Sequence, residues 1–103
     1  MHVIAKKIFS EASKRFPNDA DGIMYVYQVL NKGTFPAPSD LKNELSSLDN
    51  MKYAQKMYVI DVGGNNIRIL TKIDFMYQKV FVKYIVTHHE YDALVERYKR
   101  GEL

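Results

Sequence analysis

The sequence contains no cysteine and no tryptophan. The first absence excludes disulfides, thiol nucleophiles and thiolate metal sites, and it fits a reducing compartment. No apolar run approaches the ~18 residues that a membrane span requires, and Met1–Lys7 lacks the pattern of a secretory signal. The expectation is a cytoplasmic protein with no membrane partner. A phosphate-binding glycine loop is missing too. Gly63-Gly64 falls between two strand-like runs rather than ahead of a helix, so the pair reads as a turn. The histidines offer no metal spacing. His88 and His89 are adjacent, and on a helix they diverge by about 100°, unlike an i, i+4 pair that shares one ion. No metal and no cofactor are expected.

What is present is more specific. Fifteen lysines and arginines face twelve acidic residues, a net charge of +3 that mildly favours a polyanionic partner. Eight tyrosines supply apolar bodies with polar tips, suited to stacking on bases. With 47% hydrophobic residues in 103, the chain can build one core, and positions 1–103 are expected to form a single domain.

Periodicity gives the elements. His2-Val3-Ile4 reads as a short edge strand. Ile8, Ala12 and Phe16, with Phe9 beside them, form the stripe of a helix over Ala5–Phe16 that Pro17 ends. Asn18 or Asp19 caps a second helix with the stripe Ala20, Ile23, Tyr27 and Leu30, and Gly33 stands at its C-terminal position. Ser39 is expected to cap a short turn carrying Leu41 and Leu45. After Asn50 the period becomes alternating. Tyr58, Ile60 and Val62 oppose Met57, Val59 and Asp61, and Gly63-Gly64-Asn65-Asn66 makes a hairpin turn. Ile67, Ile69, Ile73 and Phe75 then oppose Arg68, Leu70, Lys72 and Asp74. In the last strand Val80, Val82, Tyr84 and Val86 share the apolar face, with Phe81, Lys83, Ile85 and Thr87 opposite. Tyr91, Leu94, Val95 and Tyr98 form the stripe of a final helix docked on the core. The expected fold is α+β: two N-terminal helices on a small twisted antiparallel sheet of three to four strands, with a C-terminal helix.

The chemistry concentrates where the last strand runs into the last helix. Thr87 and Glu90 have the spacing of a capping box. That box would hold His88, His89 and Tyr91 where helix amides converge, a natural seat for a phosphate. Arg68, Lys72 and Lys83 bring cations to one sheet face. RNA cleavage by its own 2′-hydroxyl needs only a base, an acid and cations at the phosphorus. The same residues also have structural readings: a solvated face for Lys72 and Lys83, an ion pair to Asp61 or Asp74 for Arg68, and a core contact for Tyr91.

Ser47-Leu48-Asp49-Asn50, Lys52-Tyr53, Tyr58-Val59, Val62-Gly63-Gly64-Asn65, Arg68, Thr87-His88 and Glu90-Tyr91-Asp92, in this order, resemble the HigB family of bacterial toxins. These belong to the RelE-like messenger-RNA interferases of type II toxin–antitoxin systems. The resemblance implies a RelE/ParE-like fold and a metal-independent endoribonuclease acting on translated mRNA at the ribosome. It also implies a HigA-type helix-turn-helix antitoxin as partner. Carried over by position, Arg68 matches the arginine that stabilises the scissile phosphate, and His88 an acid–base or phosphate-binding group. Tyr91 matches a residue used for stacking or proton transfer, and His89 is a lesser candidate. Lys56 is implied as a phosphate contact, with Lys52, Lys72 and Lys83 positioning RNA. Two other readings remain open: a ParE-like gyrase inhibitor on the same scaffold, and an RNA- or ribosome-binding module that does not cleave.

Overall fold

The computed structural model describes residues 1–103. Strand β1 (His2–Ile4) is followed by helix α1 (Lys6–Arg15), a single 3-10 turn at Pro17–Asp19, and helix α2 (Ala20–Lys32). A short helix α3 (Pro38–Glu44) leads to β2 (Asp49–Asn50), β3 (Met57–Val62), β4 (Ile67–Asp74), β5 (Lys79–Thr87) and helix α4 (His88–Lys99). The expected α+β class holds. The sheet has five strands in the order β1-β5-β4-β3-β2, and the β1–β5 pairing is parallel, so the sheet is mixed rather than wholly antiparallel.

The N-terminal helices form the expected hairpin. Phe9 and Ala12 of α1 are buried against a core that includes Ile23, Val26 and Leu30 of α2. Tyr27 is half-buried, with its ring centroid 5.3 Å from that of Phe9. Two expected caps differ. Gly33 follows α2 in extended backbone at φ −84°, so its freedom to turn left-handed is unused. Ser39 lies inside α3, where Asp40 accepts the Ala37 N–H at 3.0 Å instead. A carboxylate one turn in satisfies the same orphan donor that a serine cap would leave to water. The β3–β4 turn is as expected, with Gly63 and Gly64 both at positive φ.

The expected face assignment of β5 fails, for one physical reason. Leu70 pairs with Tyr84, but Thr71 pairs with Val82, leaving Lys83 as an extra residue. Such a bulge shifts the two-residue alternation by one. Val80 and Val82 therefore share the hairpin-facing core with Ile85, not with Tyr84 and Val86. Tyr84 turns to the other face, against Leu70. Thr71, buried opposite the bulge, donates its hydroxyl to the Tyr58 carbonyl at 3.4 Å.

That other face is not an open mixed surface. Met51, Met57, Val59 and Leu70 form a second core, over which Tyr91, Val95 and Tyr98 of α4 pack. The last helix thus covers the sheet from the side opposite the N-terminal hairpin. Polar residues lie around the margins of this core: Asp61 and Arg68 at one end, Lys72 and Asp74 at the other, and Asp49 on the edge strand beside Val59.

Deleting Lys83 should remove the bulge but leave Val82 opposite Thr71 and Tyr84 opposite Leu70, so residues 84–88 keep their faces and unfolding in urea stays cooperative. Lys83→Ala keeps the residue count and should change stability by about 0.5 kcal/mol or less. A deletion variant that no longer unfolds cooperatively would mean that the Thr71–Val82 and Leu70–Tyr84 pairs do not by themselves fix the register.

Candidate functional site

The phase shift at Lys83 determines where His88 points. With the bulge, Thr87 pairs with Ile67 and Val86 with Arg68, so the next residue along returns to the Arg68 side. The strand ends there because α4 begins. The Thr87 hydroxyl accepts the Glu90 N–H at 3.2 Å, and the Glu90 carboxylate accepts the Thr87 N–H at 3.0 Å, the expected capping box. The His88 N–H is taken by the Asn66 carbonyl at 3.2 Å. Three amides at the helix start are therefore engaged, and the expected seat for a phosphate among them gives way to a side-chain cation, Arg68.

Arg68 is the hub. It is largely buried, with Nη2 3.2 Å from His88 Nδ1 and its guanidinium carbon 5.3 Å from the centre of the Tyr91 ring. Nε lies 3.3 Å from Asp61 Oδ1 across the β3–β4 pair. The two charges attract, but the N–H does not align with the oxygen, and both buried atoms lack a hydrogen-bond partner. An ion pair so placed leaves desolvation incompletely offset, so Arg68 is under-satisfied where it sits. His88 Nε2 stands 3.5 Å from an Asp92 carboxylate oxygen, one helical turn on.

Tyr91 serves the core and the site together. Burial raises its phenol above the ordinary value of 10.0; Arg68 opposes this, and Asp61, Asp49 and Asp92 reinforce it. The hydroxyl therefore stays protonated at neutral pH and is a donor rather than a base. Tyr91 also borders a cleft of about 540 Å³ whose walls include Asp49, Asn50, Lys52, Tyr53 and Asp92. A nucleobase is small enough to enter it.

The other expected residues are distributed unevenly. His89 is exposed, its ring 5.8 Å from that of His88 and tilted by 55°. Lys52 reaches the cleft, where it and Lys99 flank the Tyr53 ring at 5.5 and 5.8 Å. Lys56 does not join Arg68. It pairs with Asp74 at 3.8 Å, at the opposite end of β4. Lys72 is exposed four residues beyond Arg68, about 13 Å along the strand. Lys83 is exposed at the bulge. No three histidine, aspartate or glutamate side chains converge as a metal site would require.

Three site residues were not singled out from the sequence. Asp92 had a usable signal, its four-residue spacing from His88. Asp61 was named only as one of two structural partners for Arg68. Arg15 had no signal at all: from the end of α1 it contacts both Glu90 oxygens, at 2.8 and 2.9 Å, over 75 residues of sequence.

The Thr87 amide and Arg15 hold the Glu90 carboxyl below its ordinary value near 4.5. A depressed carboxyl contributes stability above its unfolded value and loses it as pH falls through the folded one. Glu90→Gln should therefore melt below wild type at pH 7, by under about 1 kcal/mol because the pair is half-exposed. The gap in melting temperature should close as pH falls through the depressed Glu90 value and the carboxyl protonates. A gap that persists in acid would mean that the carboxylate charge is not what holds the helix start.

Comparison with known proteins identifies the family. Residues 20–94 match the family described as HigB_toxin, RelE-like toxic component of a toxin-antitoxin system. A protein of Escherichia coli O6:H1 (strain CFT073) named "mRNA interferase HigB" is 40% identical over 102 residues, 99% of each chain. One of Escherichia coli K12 named "mRNA interferase toxin HigB" is 37% identical over 92 residues, 89% of this chain and 88% of its own. A Shigella flexneri protein named "mRNA interferase HigB" has the same identity and coverage. The capped strand–helix joint and the arginine facing it thus lie within the matched region, and the chain belongs to the HigB toxin family.

Proposed function

We propose that this protein is the toxin of a type II toxin–antitoxin pair and acts as an endoribonuclease on messenger RNA. The observation that carries this reading is the convergence on one partly buried arginine of an imidazole from the helix start and a protonated phenol from the next turn. The names of the relatives agree with it.

The chemistry follows from those three groups. A phosphodiester entering beside Arg68 offers oxygens that complete the hydrogen bonds its guanidinium lacks, and a bidentate, charge-assisted pair is the strongest such contact. The 2′-hydroxyl then attacks the adjacent phosphorus while His88 takes its proton. Arg68 balances the charge that grows on the non-bridging oxygens. The P–O5′ bond breaks, and Tyr91 can give the leaving oxygen its proton, leaving a 2′,3′-cyclic phosphate and a 5′-hydroxyl. No external nucleophile is needed. The cleft beside Tyr91 has room for a flanking base, with Tyr53 for stacking and Lys52 for the backbone.

The same reading carries finer proposals. The mRNA is cut while translated, at the ribosome in the cytoplasm, with the exposed Lys72, Lys83 and Lys56 contacting RNA through salt-dependent charge. His89, exposed beside His88, serves as a secondary phosphate contact. The neutralising partner is a HigA-type helix-turn-helix antitoxin.

Primer extension on mRNA from a translating extract tests the site. His88→Ala should lower cleavage by about 10²–10⁴-fold and Tyr91→Phe by about 10²-fold, the range for lost proton transfer. Arg68→Lys, which retains the charge opposite Asp61, should cost about 10²–10³-fold through lost phosphate geometry. Thermal melts of the same variants should stay near wild type for Tyr91→Phe. Mutants that cut as well as wild type would remove these residues from the site. A wild type that cuts nothing but blocks gyrase supercoiling would replace the function.

A further inference from the structure

His88 has two polar neighbours, one on each ring nitrogen. Arg68 Nη2 lies 3.2 Å from Nδ1, and an Asp92 oxygen lies 3.5 Å from Nε2. A guanidinium only donates, and a carboxylate only accepts. The Arg68 hydrogen bond requires the neutral tautomer with the lone pair on Nδ1, and that tautomer carries its hydrogen on Nε2, where the Asp92 carboxylate at 3.5 Å attracts it electrostatically. The other tautomer sets N–H against N–H on one side and lone pair against carboxylate on the other. Asp92 stands on the same helix as His88, one turn away, so its hold persists whatever Arg68 does.

Arg68 itself is poised to move. Its Nε has no hydrogen-bond partner, and its pairing to Asp61 is misaligned. A phosphate provides better acceptors than an imidazole nitrogen and a misaligned carboxylate together.

We propose that Asp92 is a positioning residue that fixes His88 in the Nε2–H tautomer, making Nδ1 the nitrogen that receives the proton, and that Arg68 caps Nδ1 until an RNA phosphate draws it off. This rests on the RNA-cleaving reading above. In the free protein the base is occupied by the same cation that later holds the substrate. When the phosphate takes Arg68, the lone pair opens toward the 2′-hydroxyl. Nδ1 takes that proton as O2′ bonds to phosphorus and O5′ departs. The imidazolium that results faces the Asp92 carboxylate through Nε2–H, which stabilises it and then lets solvent remove the proton from Nδ1. Arg68 from β4, Asp61 from β3, and Asp92, His89 and Tyr91 from α4 are the titratable or charged groups around this ring.

The tautomer can be read without activity. Long-range proton–nitrogen NMR of the ¹⁵N-histidine-labelled full chain distinguishes protonated from bare ring nitrogens, with His88→Gln assigning the signal. Wild type should show Nε2–H and bare Nδ1 above the imidazole titration. Asp92→Asn should retain this, because its amide oxygen still accepts, and Asp92→Ala should show both tautomers. A wild type with Nδ1–H, or an Asp92→Ala unchanged from wild type, overturns the proposal. Titration with a 2′-deoxy oligonucleotide, which this route cannot cleave, should shift the bare Nδ1 resonance as Arg68 leaves; no shift at saturation overturns the capping step. In cleavage assays Asp92→Ala should lower kcat about tenfold with KM unchanged, at the lower end for a residue acting through its neighbour because the pair is half-exposed. Asp92→Asn should fall between the two. Undiminished cleavage by Asp92→Ala sinks the positioning role and leaves the RNA-cleaving reading standing. A wild type with the expected tautomer that cleaves nothing sinks that reading instead.

Discussion

The site depends on how one strand absorbs an extra residue. Side chains alternate along β5, so the insertion of Lys83 opposite the Leu70–Thr71 step turns everything beyond it to the other face. Before the bulge, Val80 and Val82 fill the core under the N-terminal hairpin; after it, Ile85 continues that core and Tyr84 joins the second one. Thr87 then ends on the hairpin side and His88 on the side of Arg68. Were Lys83 paired in the ladder instead of bulged out, the same residues would form a strand and a helix, with the imidazole aimed away from the guanidinium. The catalytic geometry is thus set by register, which apolar burial on both faces holds firmly.

Arg68 shows how a buried charge is kept ready for use. Its surroundings attract it from three directions and satisfy it from none completely: a misaligned carboxylate, one imidazole nitrogen and the face of a phenol ring. A well-paired buried arginine would be stable and inert. Here the incomplete pairing lowers the cost of handing the guanidinium to a phosphate, while the second core under α4 shields the site's apolar flank from water. The capping box and Arg15 have a different task. They fix the first turn of α4 against the hairpin, so that the groups facing Arg68 share one rigid element.

The sheet also explains why basic residues that look alike in sequence differ in place. Lys72 and Arg68 lie on one face of β4 but at opposite ends of the second core, and Lys56 is drawn to Asp74 at the far end. Lys52 reaches the cleft because its loop runs back beside α4. Charge is thereby spread over a broad surface, while the reacting groups stay at one corner.

Local periodicity and turn chemistry determined much of this protein. The helical stripes, the Gly63-Gly64 hairpin and the Thr87–Glu90 box are short-range patterns, and their physics is complete within a few residues. So the α+β class and the strand–helix joint were legible in the sequence, as was the pairing of Arg68 with Asp61 as one of two options. Tertiary structure decided the rest. The bulge has no local signature, because it arises from matching β5 to the length and burial of β4. The burial of the second face depends on α4 folding back over it, and Arg15 meets Glu90 only because the hairpin and the last helix converge at one end of the sheet. Those contacts join residues distant in sequence, where pairwise proximity is fixed by packing and leaves no periodic trace in the chain.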